Sequence, residues 1–236
     1  MYNYEGVYKS MNAIVYYSNT EQSKRIAQYL ADKSGYSLCD IYDLNEFSFD
    51  NLALVFPVYS QSLPYAVKTF LSKIRAQNLT LVATYGRMCY GNALHEAQKK
   101  YKHNIVAAAY IPTKHSYLQE SEFDDFKSLD RIVEKMLAPS PIAIPRSYKN
   151  IFSNLFKDQR SRMGVKIYKT QDCDRCNTCS QLCKNNAIIN GEINKNCIRC
   201  LKCVNACPKG ALKYKLRYPM RIYLKKKKKD KMVIYI

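Results

Sequence analysis

The chain has 236 residues, with 38 Lys or Arg against 19 Asp or Glu, a formal net charge of +19, ten cysteines and no tryptophan. That length predicts one medium domain plus one small one, and no run of about eighteen apolar residues is present to cross a membrane. No apolar leader opens the sequence, so its many cysteines are expected to be free or metal-bound thiols in a reducing cytoplasm rather than disulfides. The positive charge suits an acidic redox protein, an anionic surface or nucleic acid, and composition alone does not choose among them.

Residues 1–11 read as an extension without a pattern. Residues 13–17 form a short β-branched and aromatic run, fit for a strand buried on both faces. Ser18-Asn19-Thr20-Glu21-Gln22-Ser23 follows, and then Ile26, Ala27, Leu30 and Ala31 recur at helical spacing. A hydroxyl-rich loop thus joins a buried strand to a helix N-terminus, where free backbone N–H groups and the helix dipole favour phosphate. Residues 38–43 read as a weak second strand. Residues 52–56 are a strong third, ending in Pro57-Val58-Tyr59-Ser60-Gln61-Ser62-Leu63-Pro64. A helix with Val67, Phe70, Leu71 and Ile74 on one face comes next. The fourth strand, 79–84, ends at Thr84 and runs into Tyr85-Gly86-Arg87-Met88-Cys89-Tyr90-Gly91, ahead of a helix over about 92–100. Residues 105–111 are the fifth strand, and Phe123, Phe126, Leu129, Ile132, Val133 and Met136 stripe the last helix.

Five strands alternating with helices over 12–137 predict an α/β domain with a parallel sheet covered on both faces. Ligands in such sheets bind beyond the C-terminal strand ends, and the three unusual loops all fall on that edge. Residues 138–165 are a Pro-containing linker and basic connecting segment, in which Ile151, Phe152, Leu155 and Phe156 make a helical stripe. That stripe reads as a connecting helix packed between domains, with a basic docking patch for an acidic partner as the other reading. Residues 165–168 are expected to pair with 212–216 as an edge strand. Residues 217–236 are a basic tail: five consecutive lysines, 225–229, predict a solvated, disordered segment, and the apolar end 232–236 allows contact with an anionic membrane surface. Cys39 reads as a small buried hydrophobe and Cys89 as a plain loop thiol.

The other eight cysteines carry the strongest signal. Cys173, Cys176, Cys179 and Cys183 have the spacing C-x2-C-x2-C-x3-C, and Cys197, Cys200, Cys203 and Cys207 repeat it twenty-four residues later. Ala187-Ile188 and Ala211-Leu212 recur at the same offset, so residues 166–216 contain a duplicated half-domain. Zinc sites pair C-x2-C units across a longer gap and have no use for a third cysteine two residues on. Unligated structural thiols would not repeat in register. Three thiolates two residues apart can wrap one face of an iron–sulfur cubane, and the fourth ligand must then come from elsewhere.

This pattern resembles the bacterial two-cluster ferredoxins, a small α+β fold. The resemblance implies one [4Fe–4S] cluster on Cys173, Cys176, Cys179 and Cys207, and another on Cys197, Cys200, Cys203 and Cys183. Pro208 follows Cys207 as in that family, but Lys184 follows Cys183, which is expected to expose the second cluster further and shift its potential. The first domain resembles the flavodoxin family on Tyr17-Ser18-x-Thr20-x-x-Ser23, on Pro57-Val58-Tyr59 with Pro64, on Tyr85-Gly86 with Tyr90-Gly91-Asn92-Ala93-Leu94, and on His115-Ser116-Tyr117. The whole is similar to the flavodoxin–ferredoxin fusions of anaerobes. That implies a flavodoxin-like five-stranded parallel sheet and FMN. The cofactor would be held by Ser18, Asn19, Thr20, Gln22 and Ser23 at the phosphate, and by Pro57, Val58, Tyr59, Ser60, Thr84, Tyr85, Gly86, Tyr90 and Gly91 at the ring. Tyr59, Tyr85 or Tyr90 would stack on the flavin. Flavodoxins commonly carry glycine where this chain has Glu21, so a side chain and a negative charge stand near the expected phosphate.

The function expected is electron transfer between two [4Fe–4S] clusters, FMN and an external, acidic redox partner. No acid–base pair or nucleophile points to chemistry on an organic substrate, although a bound flavin could reduce a small molecule at its exposed edge. The alternative is a basic nucleic-acid or protein-binding module with structural clusters and a vestigial flavin site; positive charge alone supports it, and no specific nucleic-acid module is recognisable.

Overall fold

The structure is a computed structural model that describes residues 11–44, 47–146 and 160–236. The expected helical stripe at Ile151, Phe152, Leu155 and Phe156 lies outside the described residues.

The first unit alternates strand and helix. It runs β1 (Asn12–Tyr16), α1 (Gln22–Ser34), β2 (Ser37–Asp40), β3 (Ser48–Pro57), α2 (Tyr65–Leu71), β4 (Arg75–Tyr85), α3 (Ala93–Tyr101), β5 (Ile105–Pro112) and α4 (Asp130–Leu137). All four neighbouring pairs among β1–β5 are parallel, in the spatial order β5-β4-β3-β1-β2. This is the flavodoxin-like order, and its switch point lies between β1 and β3. The period of two along β3 explains the two-sided core. Leu52, Leu54 and Phe56 pack on the face with Val67, Phe70 and Leu94, whereas Ala53 and Val55 pack on the other with Ile26, Leu30 and Ile132. Helices α2 and α3 therefore cover one face, and α1 and α4 the other.

A row of asparagines pins the opposite end of the sheet. Asn51 donates to Asn12 at 2.8 Å, Asn78 to Asn51 at 2.9 Å and Asn104 to Asn78 at 3.1 Å. The row crosses from β1 through β3 and β4 to the residue before β5, and it locks the register in which the far ends of the strands are level.

The second unit has α5 (Arg160–Gly164), β6 (Val165–Lys169), α6 (Thr178–Gln181), β7 (Ile188–Ile189), β8 (Glu192–Ile193), α7 (Lys202–Asn205) and β9 (Leu212–Leu216). β6 and β9 pair antiparallel, Val165 opposite Leu216, and β7 pairs with β8. After it come α8 (Tyr218–Leu224) and β10 (Val233–Tyr235). β10 pairs antiparallel with β5, so the five parallel strands gain a sixth at their edge. The disordered tail expected from the lysine run is thus corrected: the Lys225–Lys229 side chains are exposed as expected, but the chain on either side is a helix and a strand. The apolar end completes an edge already apolar along its length. No helix among the described residues is long and apolar enough to cross a membrane.

Candidate functional site

The duplication is visible in the backbone. Left-handed residues recur twenty-four positions apart: Arg175 and Arg199 (φ 59° and 62°), Asn177 and Leu201 (62° and 65°), Asn186 and Gly210 (48° and 57°). Such conformations cost a non-glycine residue energy and persist only where the surroundings demand them. Here the first two pairs turn each cysteine loop tightly before the short helices α6 and α7, and the third turns the chain after them. The amide of Ala187 donates to Cys183 Sγ at 3.3 Å. Burial alone would raise the Cys207 thiol, but the amides of Leu212, Ala211 and Lys209 outweigh it and hold that thiol below its usual range.

The eight thiols stand around two small cavities. Cys173, Cys176, Cys179 and Cys207 line one, and Cys183, Cys197, Cys200 and Cys203 line the other. Cys183 therefore stands with the second run, and Cys207 with the first. Burial, then the neighbouring Cys197 and Cys183, pushes the Cys200 thiol up to about 11; burial with Cys200, Cys197 and Cys183 pushes Cys203 to about 12. Four thiolates cannot share so confined a space without positive charge among them. Among the described residues no group of three or more His, Cys, Asp or Glu is placed to hold a single metal ion.

A third cavity, of about 1230 Å³, lies beyond the C-terminal ends of β1, β3, β4 and β5, where the open sheet presents its switch point. Thr20, Gln22, Pro57, Val58, Tyr59, Ser60, Thr84, Tyr85 and Gly86 line it. Its opposite wall comes from α5, from residues 184–186, 196 and 198–200, and from α8. Cys200 lines both this cavity and the cavity of the second thiol group.

Tyr59 is presented by a tight turn. Ser60 and Gln61 both have positive φ (50° and 67°), and Tyr59 and Ser62 exchange backbone hydrogen bonds of 3.1 and 2.9 Å. Gly91 is needed beside this turn, because a Cβ there would sit 2.7 Å from that of Gln61. Asn19 donates to the hydroxyls of Tyr17 at 2.9 Å and Tyr59 at 3.0 Å, and burial drives the Tyr59 phenol well above its ordinary range.

Not every expected residue reaches the cavity. Ser18 is not on its wall, and Asn19 instead lines the cavity of the second thiol group. The Ser23 hydroxyl is buried against that of Thr84 at 2.9 Å. Tyr90 stacks on Tyr110 with ring centroids 4.0 Å apart, away from the cavity, and Gly91 packs on Gln61. Tyr85 lines the cavity but is 2% exposed, and its hydroxyl is engaged by the carbonyls of Lys231 at 2.8 Å and Lys229 at 3.1 Å.

The first turn of α1 fits an anion. It has no side-chain cap and no acidic residue. Glu21 takes the left-handed conformation that glycine would hold (φ 61°), and its exposed carboxylate points to Lys24, 3.8 Å away, rather than into the cavity. Glu122 approaches the same helix end, bonded by Arg25 and by Gln22 at 3.4 Å. Gln61 Oε1 is buried on the cavity wall without a hydrogen-bond partner, an acceptor awaiting a donor.

Sequence reading missed how the tail frames this site. Lys228 pairs with the buried Glu120 at 2.5 Å, and Asp230 with Arg87 at 2.7 Å, so the segment before β10 clamps the loops after β4 and β5. A lysine run carries no signal of such specific pairing.

Residues 193–213 match the 4Fe-4S binding domain family. The matched segment contains Cys197, Cys200, Cys203 and Cys207, so the chain carries at least one 4Fe–4S binding segment. No curated protein matches this chain. Among solved structures, it is similar to a short-chain flavodoxin associated with a non-canonical PDU bacterial microcompartment, at 14% identity over 55% of this chain and 98% of that one, with a TM-score of 0.42. A flavodoxin from the domain Archaea is similar at 16% identity over 54% of this chain and 99% of that one, with a TM-score of 0.40.

Proposed function

We propose that this chain is an electron-transfer protein that holds two [4Fe–4S] clusters and one FMN and serves an external redox partner. The observation that carries it is the position of Cys200, which stands in one cysteine group and also on the wall of the cavity at the strand ends. Bound there, the clusters would supply single-electron exchange and the flavin would couple single electrons to pairs. The chain's own part is to hold these groups next to one another and keep water out. Cys173, Cys176, Cys179 and Cys207 would ligate one cluster, and Cys183, Cys197, Cys200 and Cys203 the other. Thr20, Gln22 and the open amides of α1 would take the flavin phosphate. Tyr59, fixed by Asn19, would face the ring, and Gln61 Oε1 would accept from a ring N–H. Burial and the neighbouring thiols raise the Cys200 and Cys203 thiols, so binding them to a cluster should release protons.

Anaerobically purified protein should contain about eight iron and eight sulfide per chain, and bind one FMN. Cys183→Ser and Cys207→Ser should each lower iron by up to half, because each removes a ligand from the cluster of the other run. Iron at half the expected content in the unaltered protein would mean a single cluster. Stoichiometric zinc without sulfide would remove electron transfer and favour a binding module.

A further inference from the structure

Seven Lys or Arg side chains line the large cavity, and among the described residues on its wall there is no Asp or Glu. Two of these cations come from the cysteine loops themselves: Lys184, directly after Cys183, and Arg199, directly before Cys200.

The internal duplication provides a comparison within one chain. Arg175 is the counterpart of Arg199 and has the same left-handed backbone, φ 59° against 62°. Arg175 is exposed, at the rim of the other thiol cavity. Arg199 is drawn inward: its Nε donates to the carbonyl of Val165 at 3.1 Å, while its Nη1 is buried with no hydrogen-bond partner. Pro208 and its counterpart Lys184 each line the small cavity of their own thiol group, but only Lys184 also lines the large cavity, with its ammonium 5.2 Å from the centre of the Tyr42 ring. Wrapping thiols therefore demands neither cation on the large cavity. A buried charged N–H left without an acceptor is costly, and because Arg199 also lines the large cavity, a small turn of its side chain would give that N–H an anion as acceptor. The surroundings are apolar as well as basic: Met220 packs against Gly164, next to Val165, and Met163 and Tyr223 line the same wall.

We propose that this wall is a binding site for a small organic carboxylate, with Arg199 as its charged contact, Lys184 as a second cation and the methionines against its apolar body. It is separate from the flavin phosphate site at α1. The site needs the cavity but not the flavin, so the two readings fail separately.

The test is calorimetric titration of the anaerobic, cluster-containing protein with benzoate, repeated with FMN present. Wild type should bind benzoate and not the neutral benzamide. Arg199→Gln should weaken benzoate about tenfold or more, as loss of a charged hydrogen bond does. Lys184→Gln should weaken it by a smaller factor, Arg199→Lys should restore part of the loss, and Arg175→Gln should leave binding unchanged. Iron content and the visible spectrum check that each variant keeps its loops; if Arg199→Gln loses iron, Lys184→Gln and Arg199→Lys decide. Failure of wild type to bind benzoate, equal binding of benzamide, or an equal loss in Arg175→Gln overturns the proposal. So does loss of FMN together with benzoate in Arg199→Gln, which would make this arginine a flavin phosphate ligand. Benzoate binding without FMN binding would uphold this site and end the flavin reading.

Discussion

Tyr117 donates its hydroxyl to the backbone carbonyl of Arg199 at 2.7 Å, from the loop after β5 into the loop between two thiols of the second cysteine run. The same ring packs on the small core formed by Ile167, Ala187, Cys197 and Leu201, and lies 6.2 Å from that of Tyr214. One side chain of the sheet unit is thus part of the core of the cluster unit. Tyr117→Phe keeps the packing and leaves the Arg199 carbonyl without its donor. It should cost about 1 kcal/mol, seen as a lower denaturation midpoint of the anaerobic protein. Tyr117→Ala should cost about 3 kcal/mol and loosen the second thiol group first. Equal midpoints for wild type and both variants would mean that the two units are not joined here.

Tyr59 and Tyr90 separate two roles that look alike in sequence. Both are tyrosines in loops at strand ends, yet Tyr59 lines the cavity while Tyr90 stacks on Tyr110. With FMN bound, Tyr59→Ala should shift the flavin absorption bands. Tyr90→Ala should leave them in place and instead lower stability by about 2 kcal/mol. A spectral shift in Tyr90→Ala larger than in Tyr59→Ala would reverse this assignment.

The parts legible in sequence were those set by local pattern. β3 announced itself because Leu52 through Phe56 are all apolar and both of its faces are buried. The cysteine loops were legible because chemistry fixes their spacing. What was hidden depends on tertiary pairing. β10 is three residues behind a lysine run, and only its contact with β5 makes it a strand. Arg175 and Arg199 are the same residue in the same motif, so no local signal distinguishes the exposed one from the one with the buried Nη1. Ser18, Asn19 and Ser23 carried the right chemistry for a phosphate loop, but the packing of Ser23 against Thr84 could not be read from their order.

Glu120 makes the tail clamp sensitive to acid. Its side chain is only 4% exposed, so burial raises its carboxyl, but the bond from Lys228, the His115 amide and the charge of Arg87 outweigh that and hold it below the usual carboxylate range. A depressed folded value contributes stability that is present above the unfolded value and lost as pH falls through the folded one. The clamp should therefore hold at neutral pH and weaken as pH falls below about 4. Because Lys228 is half exposed, the contribution is about 1 kcal/mol. Glu120→Gln should lower the melting temperature at pH 7 and flatten its dependence on pH at the acid end. A variant with the same acid sensitivity as wild type would place that sensitivity elsewhere.

Glu21 offers the sharpest test of the flavin reading, because strain and charge act at one residue. Its φ of 61° is one that glycine adopts freely, and side chains at such positions cost about 1 kcal/mol. Its carboxylate lies at the helix end where a phosphate would bind, although it is turned toward Lys24. Glu21→Gly should relieve the strain and remove the charge, raising the stability of flavin-free protein and tightening FMN. Glu21→Gln removes the charge alone, so it should tighten FMN by a smaller factor, of about twofold to fivefold, without stabilising the flavin-free form. Glu122→Gln should act in the same direction as Glu21→Gln, since Glu122 reaches the same first turn through Gln22 and Arg25. Flavin fluorescence during titration gives the affinities, and thermal unfolding without FMN gives the strain. If Glu21→Gly stabilises the protein while wild type and all three variants fail to bind FMN, the backbone account stands and the cavity at the strand ends holds something other than a flavin.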